Sequence, residues 1–389
     1  MNPGLLSAQE AATRLGVKRE TLYAYVSRGL LTTHRMPRTR GSWFDPVELD
    51  ALVRKARGPA ERRPEVRITS SITLIERGSY WYRGRDPEQL AKTHSYEAVA
   101  ELLWTGTDTP DVSAWPVEGD AVAAARAAQD LLPRSATPND RLRAIVALIG
   151  PFDPLRVDLR PAGAVATARR LLATTVAALP TTRRGSIAAG LASWLAPRRP
   201  SPEPIRAINT TLIVMADHEL AASTLAVRVA ASFKADPYTT MSAGLGAVAG
   251  TWHGGASRQV EELLAAIASG QTAAEALSRV VRGDQPLPGF GHPLYPDGDP
   301  RAKALLRLAR TFGPTPNVNA LIKTAAARHL PRPNVDLGLA ALAHTLGLRS
   351  GAGETLFGVG RLAGWLAHAI EEYTDRSRLR LRALYTGPR

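Results

Sequence analysis

From about Val66 onward, apolar residues recur at three- and four-residue spacing in blocks separated by Pro and Gly, the pattern of successive amphipathic helices. Tyr96 to Trp104, Ala121 to Leu131, Val165 to Ala178 and Glu261 to Ala268 are the plainest of these blocks. Strand-like alternation is confined to hairpins near Ile68 to Tyr82, and no segment repeats. The predicted body is therefore large and mainly α. Its most apolar windows are broken by Arg, Asp, Gly or His well before a bilayer-spanning length. The opening MNPGLLSAQE lacks the basic and apolar regions of a signal peptide. These features lead us to expect a soluble, cytoplasmic chain with no membrane partner.

The first 56 residues follow a different plan. Ala8 to Leu15 is a short amphipathic helix, Gly16 a turn, and Lys18 to about Ser27 a second helix, with Ala12, Leu15, Leu22, Val26 and Leu30 as the inner face. Lys18, Arg19, Thr21 and Arg28 remain outside. Residues 33–44 read as a hairpin wing whose tip carries Arg35, Arg38 and Arg40. Asp45-Pro46 opens a third helix, with Pro in the first turn where its missing N–H costs little. The strings VKRETLYAYVSRGLL and RTRGSWFDPVELDAL resemble the winged helix-turn-helix of MerR and excisionase-type regulators. That resemblance implies a DNA contact through residues 1–56. Residues 57–66, rich in Arg, Glu and Pro without apolar periodicity, read as a linker.

Composition adds constraints. The 389 residues include no cysteine, so disulfides, thiolate metal sites and thiol nucleophiles are excluded. The net charge of +14 suits nucleic acid or phosphorylated ligands, but an Arg-rich proteome would produce the same excess, so charge alone decides nothing.

Polar chemistry must then rest on His, Asp, Glu, Lys, Ser or Tyr. Three histidines have unusual settings: His218 in ADHE, His253 in WHGGA and His292 in GFGHP. Glycine beside histidine permits close approach of backbone and ligand. A metal site at Asp217, His218 and Glu219 is rejected, because neighbours on a helix point about 100° apart; the expected metal content is none. HGGA is similar to the oxyanion-hole segment of lipases, yet no G-x-S-x-G nucleophile elbow accompanies it. No dinucleotide or P-loop motif is present either.

ADHELAASTLAVRVAA (216–231), WHGGAS (252–257), LPGFGHPLYPDGDPRA (287–302), PNVD (333–336), LFGVGRLAGWLAH (356–368) and LRLRALYTG (379–387) occur in that order. Together with ITLIERGSYWYRGRDPEQLAKTHSYEAVAELLWTG they resemble the citrate synthase family. The resemblance implies a two-domain helical fold: a large domain of residues 67–253 and 342–389, and a small domain of residues 254–341 closing over it. It implies condensation of an acyl-CoA, acetyl-CoA or propionyl-CoA, with oxaloacetate, giving citrate or 2-methylcitrate and free CoA. His253, His292 and Asp336 match the catalytic trio, and His218, Arg301, Arg361 and Arg380 match dicarboxylate-binding residues. Leu287, Pro288, Gly289 and Gly291 match the backbone that receives CoA. The family works as a homodimer, with Arg380 matching an arginine that reaches the partner subunit's site. No cofactor is implied, the coenzyme A thioester being a substrate. Pro293 and Pro296 depart from the family pattern, and Pro296 removes a basic residue that commonly approaches CoA phosphates. A second reading makes the chain a DNA-binding regulator that senses citrate, oxaloacetate or acyl-CoA.

Overall fold

The computed structural model describes residues 5–34, 41–49, 52, 68–110, 112–180, 185–250, 253–281, 286–375 and 378–379. Helix Ala352–Thr374 is the axis around which the rest is arranged. Every residue from 352 to 370 is buried, as expected for a helix surrounded by others on all sides. Tyr96–Thr105, Pro138–Ile149, Pro161–Ala178, Pro202–Met215, Ala222–Ser232, Pro237–Val248, Gly255–Ala268 and Val335–Thr345 all pack on it. No described helix is long and apolar enough to cross a membrane.

Helix starts follow the local sequence. Asp86-Pro87, Asp236-Pro237 and Asp299-Pro300 each place an acceptor at the N-cap and Pro at the first helical position. The expected blocks are helices, with ends moved by a few residues: Tyr96–Thr105, Gly119–Asp130, Pro161–Ala178 and Gly255–Ala268. The strand signal near Ile68 to Tyr82 is one hairpin, Thr73–Glu76 paired antiparallel with Ser79–Tyr82. Its inward side chains Tyr80 and Tyr82 are buried.

Those tyrosines supply donors at the end of helix Pro202–Met215, where the capping Ala216 N–H reaches Ile213 O but the last carbonyls lack the usual i+4 partners. Tyr82 Oη donates to Ile213 O and Val214 O at 3.1 Å each, and Tyr80 Oη donates to Val214 O at 3.3 Å. Arg361 Nε donates to Met215 O at 3.0 Å. The Gly364 N–H, on the central helix, donates to Ala216 O at 2.9 Å. Such close approach requires glycine: a Cβ on Gly364 would lie 2.4 Å from that same carbonyl oxygen.

Helices Gly255–Ala268, Ala273–Val280, Pro300–Arg310, Pro316–Ala327 and Val335–Thr345 pack on one another. The last of them runs unbroken across residues 341–342, the junction implied for the two domains.

In the N-terminal unit, Ala8–Leu15 ends at Gly16 in the left-handed conformation (φ 65°) and Arg19–Ser27 follows. Leu6–Ser7 pairs with Trp43–Phe44, and His34 bridges to Trp43. A small core of Ala8, Ala11, Ala12, Leu22, Leu31, Phe44 and Leu49 closes the unit. One expectation is corrected here: Leu30 is 38% exposed, and Leu31 takes the inner position instead. Lys18, Arg19 and Arg28 are exposed and Thr21 is half-buried. Arg35, Arg38 and Arg40 lie outside the described residues. The unit touches the body through Val47, which joins the main core, and through Asp45, 3.1 Å from Arg328.

Candidate active site

Five segments meet around a cavity of about 490 Å³ lined by His218, His253, His292, Arg301, Asp336 and Arg361. Leu287, Pro288, Gly289 and Gly291 form part of its wall. Ten of the residues singled out in the sequence thus share one space, although they span 144 positions from His218 to Arg361. Arg380 lies outside the described residues.

His218 sits in a non-helical link, residues 216–221, between helices Pro202–Met215 and Ala222–Ser232. The helical geometry assumed for Asp217, His218 and Glu219 is therefore corrected. The link is irregular because Glu219 takes a left-handed φ of 53° and Asp217 turns inward. Asp217 Oδ2 accepts from Thr73 Oγ1 at 2.6 Å and from the Glu219 N–H at 3.1 Å. Turned the other way, His218 brings Nε2 to 2.9 Å from Tyr295 Oη.

His253 opens helix Gly255–Ala268 through two glycines. A Cβ on Gly254 would meet Val248 O at 2.7 Å, so HGGA is the sequence that lets this start press on the end of helix Pro237–Val248. His253 Nε2 lies 2.9 Å from Ser223 Oγ, and its ring meets Phe357 edge to face at 5.4 Å. Burial first, then the charges of Arg361 and Arg301, pull its pKa down to about 4. This imidazole is neutral at pH 7.

His292 follows Gly289 and Gly291, both in the left-handed region (φ 82° and 79°). The Gly291 N–H donates to Arg332 O at 2.8 Å, and the Asn334 N–H donates to Gly289 O at 2.9 Å. The loop is thereby tied to the segment leading into helix Val335–Thr345. The Leu294 N–H donates to His292 Nδ1 at 3.2 Å, so the proton of the neutral ring resides on Nε2. Burial, followed by Arg301, holds this pKa near 4 as well.

Asp336 is the second residue of its helix, behind the N-cap Asn334. Asn334 Oδ1 accepts from the Asp336 N–H at 3.0 Å, and Asn334 Nδ2 donates to Gly291 O at 3.0 Å. One amide side chain thus links the carboxyl-bearing turn to the histidine loop. Asp336 is 9% exposed and its Oδ1 has no partner among the described residues. Burial raises its pKa to about 7, against the opposing pull of Arg301.

Two guanidiniums make the cavity electropositive. Arg301 pairs with Asp299 through two bonds, Nε to Oδ1 at 3.0 Å and a terminal nitrogen to Oδ2 at 2.8 Å. Burial alone would lower the Arg301 pKa, but Asp299 outweighs it and raises it. Arg361 is 1% exposed, spends Nε on Met215 O, and leaves both terminal nitrogens without a partner among the described residues. A buried guanidinium with two free donors is costly unless an anion completes it.

Sequence reasoning passed over four contributors: Ser223, Tyr295, Asp299 and Asn334. All lie inside the quoted strings. The N-cap preference for Asp and Asn could have identified Asp299 and Asn334, whereas no local signal marks Ser223 or Tyr295.

One cavity therefore holds a carboxyl poised near neutrality, neutral imidazole donors and two buried guanidiniums. That is the equipment of an acid–base enzyme that deprotonates a weak acid beside a bound anion. The profile "Citrate synthase, C-terminal domain" matches residues 64–382. Citrate synthase 2 of Bacillus subtilis is 31% identical over 351 residues, covering 83% of this chain and 94% of that protein. 2-Methylcitrate synthase 1 of Corynebacterium glutamicum is 26% identical over 348 residues, covering 82% and 91%. The solved citrate synthase of Thermoplasma acidophilum, a ternary complex with carboxymethyl coenzyme A and oxaloacetate, superimposes with a TM-score of 0.70. It shares 26% identity over 84% of this chain and 95% of that one. The chain belongs to the citrate synthase family, and it is an enzyme of that type, an acyltransferase.

Proposed function

We propose that this protein condenses an acyl-CoA with oxaloacetate in the cavity described above, releasing citrate or 2-methylcitrate and free CoA. The observation that carries this reading is the pairing, in one cavity, of Arg361, whose terminal nitrogens have no partner among the described residues, with Asp336, whose Oδ1 has none among them and whose pKa is raised to about 7. Asp336 takes a proton from the carbon next to the thioester carbonyl, and the freed electron pair delocalises onto the thioester oxygen as an enolate. His253 donates a hydrogen bond to the thioester oxygen, so little free charge accumulates there. The enolate carbon then attacks the ketone carbon of oxaloacetate, and His292, protonated on Nε2, gives that proton to the developing alkoxide, which becomes the product hydroxyl. Water finally cleaves the thioester, giving the tricarboxylate and CoA. Arg301, Arg361 and His218 hold the dicarboxylate, and residues 287–291 receive CoA. Coenzyme A enters as a substrate, and no cofactor is called for.

By resemblance we further propose a homodimer in which Arg380 completes the partner's site, and closure of residues 254–341 over the remainder of the body. Acetyl and propionyl chains differ by one methylene, which a pocket resolves by only about 1–3 kcal/mol. The relatives include enzymes named for either product. Free-thiol release with oxaloacetate and each thioester tests the reading directly. Release from the wild type and its loss in Asp336→Ala are expected, and silence with both thioesters would sink it.

A second proposal concerns residues 5–49. Lys18, Arg19 and Arg28 are exposed at the two ends of one short helix that follows a glycine turn, a placement that favours contact with a nucleic-acid backbone. Salt-dependent retention of DNA fragments by the full chain, abolished on removing residues 1–60, is the expected result. Equal retention by both forms would remove the proposal.

A further inference from the structure

Tyr295 joins parts of the site that come from distant segments. Its hydroxyl stands 2.9 Å from His218 Nε2, and its ring lies 4.9 Å from the His292 ring at 34°. The two imidazoles meet edge to face at 5.2 Å. Arg301 Cζ lies 5.8 Å over the same tyrosine ring. Tyr295 is itself 2% exposed and is not part of the cavity wall, whereas His218 is.

We propose that Tyr295 is a positioning residue. Its hydroxyl donates to His218 Nε2 and so fixes the proton of His218 on Nδ1, while its ring braces His292 over the same cavity. For the identity of the ligand this rests on the condensation reading above; the tautomer assignment does not.

The direction of the bond follows from where each hydrogen can go. A neutral imidazole has one donor and one acceptor nitrogen. Burial, reinforced by Arg301 and Arg361, holds the His218 pKa well below its usual range, so the ring is neutral. Burial pushes the Tyr295 phenol up to about 12, so it keeps its hydrogen. If His218 donated from Nε2, the phenol hydrogen would be buried without an acceptor among the described residues, an arrangement costing about 1–3 kcal/mol. With the phenol as donor, the remaining N–H of His218 is on Nδ1, available to a ligand in the cavity its ring lines. His292 has the opposite tautomer, with Nδ1 accepting from Leu294 and the proton on Nε2. Two adjacent neutral rings thus each keep one N–H for an oxygen-rich ligand, beside two guanidiniums that hold its negative charge.

Tyr295→Phe removes only the hydroxyl and keeps the ring against His292. Long-range 1H–15N spectra of histidine-labelled protein report each tautomer. The wild type is expected to show His218 protonated on Nδ1, and Tyr295→Phe a mixture or an Nε2–H form. Calorimetric titration with oxaloacetate is expected to show affinity about tenfold weaker in Tyr295→Phe, the loss of roughly one hydrogen bond. The KM for the acyl-CoA should be unchanged, while Tm falls by a few degrees for the lost buried hydrogen bond. A wild-type His218 protonated on Nε2, or undiminished oxaloacetate affinity in Tyr295→Phe, overturns the proposal. If the wild type itself bound no oxaloacetate, the substrate reading would fall, and the wild-type spectrum alone would decide the role of Tyr295. That spectrum also decides if the variant does not fold.

Discussion

A carboxyl with a pKa near 7 is useful as a base and a liability in folding. For Asp336 the folded value of about 7 exceeds the unfolded value of about 3.9, so folding disfavours the ionised form. Its contribution to stability is complete below about pH 4, shrinks as pH rises towards 7, and is gone above that. Asp336→Asn should therefore raise stability relative to wild type by an amount that grows between these limits, up to about 4 kcal/mol. Denaturant melts at pH 4, 6 and 8 measure it. The same variant should lose about 10²–10⁴-fold in turnover. Wild-type kcat/KM should fall tenfold per pH unit below about 7, as the base becomes protonated. Arg361 is the complementary case, a buried cation with no counter-charge bonded to its terminal nitrogens among the described residues. Arg361→Lys keeps the charge but loses the planar fork and the bond to Met215 O. The KM for the dicarboxylate should rise about tenfold or more, with the acyl-CoA KM unchanged, in the thiol-release assay.

At the scale of elements, the site depends on how helices begin and end. The start of Val335–Thr345 carries Asp336, and its cap Asn334 also grips the carbonyl of Gly291 in the histidine loop. Asn334→Ala should cost about 1 kcal/mol of stability through the lost cap. It should also lower kcat by roughly 10–100-fold, because base and donor lose their shared brace. Asp86→Ala, which removes a cap from helix Pro87–Thr93 outside the cavity lining, should cost similar stability and leave kcat intact. Comparing the two variants separates positioning from general weakening. The end of helix Pro202–Met215 follows the same logic in reverse. Its last carbonyls accept from Tyr80, Tyr82 and Arg361, and this sets the link that carries His218.

On the scale of the whole molecule, the N-terminal unit has its own core yet leans on the body through Val47 and the Asp45–Arg328 pair. A partly buried pair contributes about 1 kcal/mol and a buried valine about 1.5 kcal/mol or more. Removing residues 1–60 should therefore lower Tm by a few degrees while thiol release persists, since no described residue of the unit lines the cavity. Loss of thiol release in a truncated protein that still melts cooperatively would make the unit part of the catalytic body.

Local order was legible in the chain itself. Apolar spacing marks Tyr96–Thr105 and Pro161–Ala178 as helices, Asp-Pro pairs mark the beginnings of Pro87–Thr93, Pro237–Val248 and Pro300–Arg310, and Gly16 marks the first turn, because each depends on neighbours a few positions away. The ordered strings also pointed to His253, His292, Asp336, Arg301 and Arg361. What the sequence could not supply was their electrostatic state. A pKa near 7 for Asp336, and near 4 for two histidines, arises from burial against segments far apart in the chain. The link carrying His218 was misjudged as helical for the same reason: its path is fixed by Thr73, Tyr82 and Gly364, none within 100 residues of it. Residue types and spacing therefore determined which groups are present and which elements carry them. Only tertiary packing decided which groups are dry, which are left unpartnered, and where each proton sits, because desolvation depends on everything that surrounds a group.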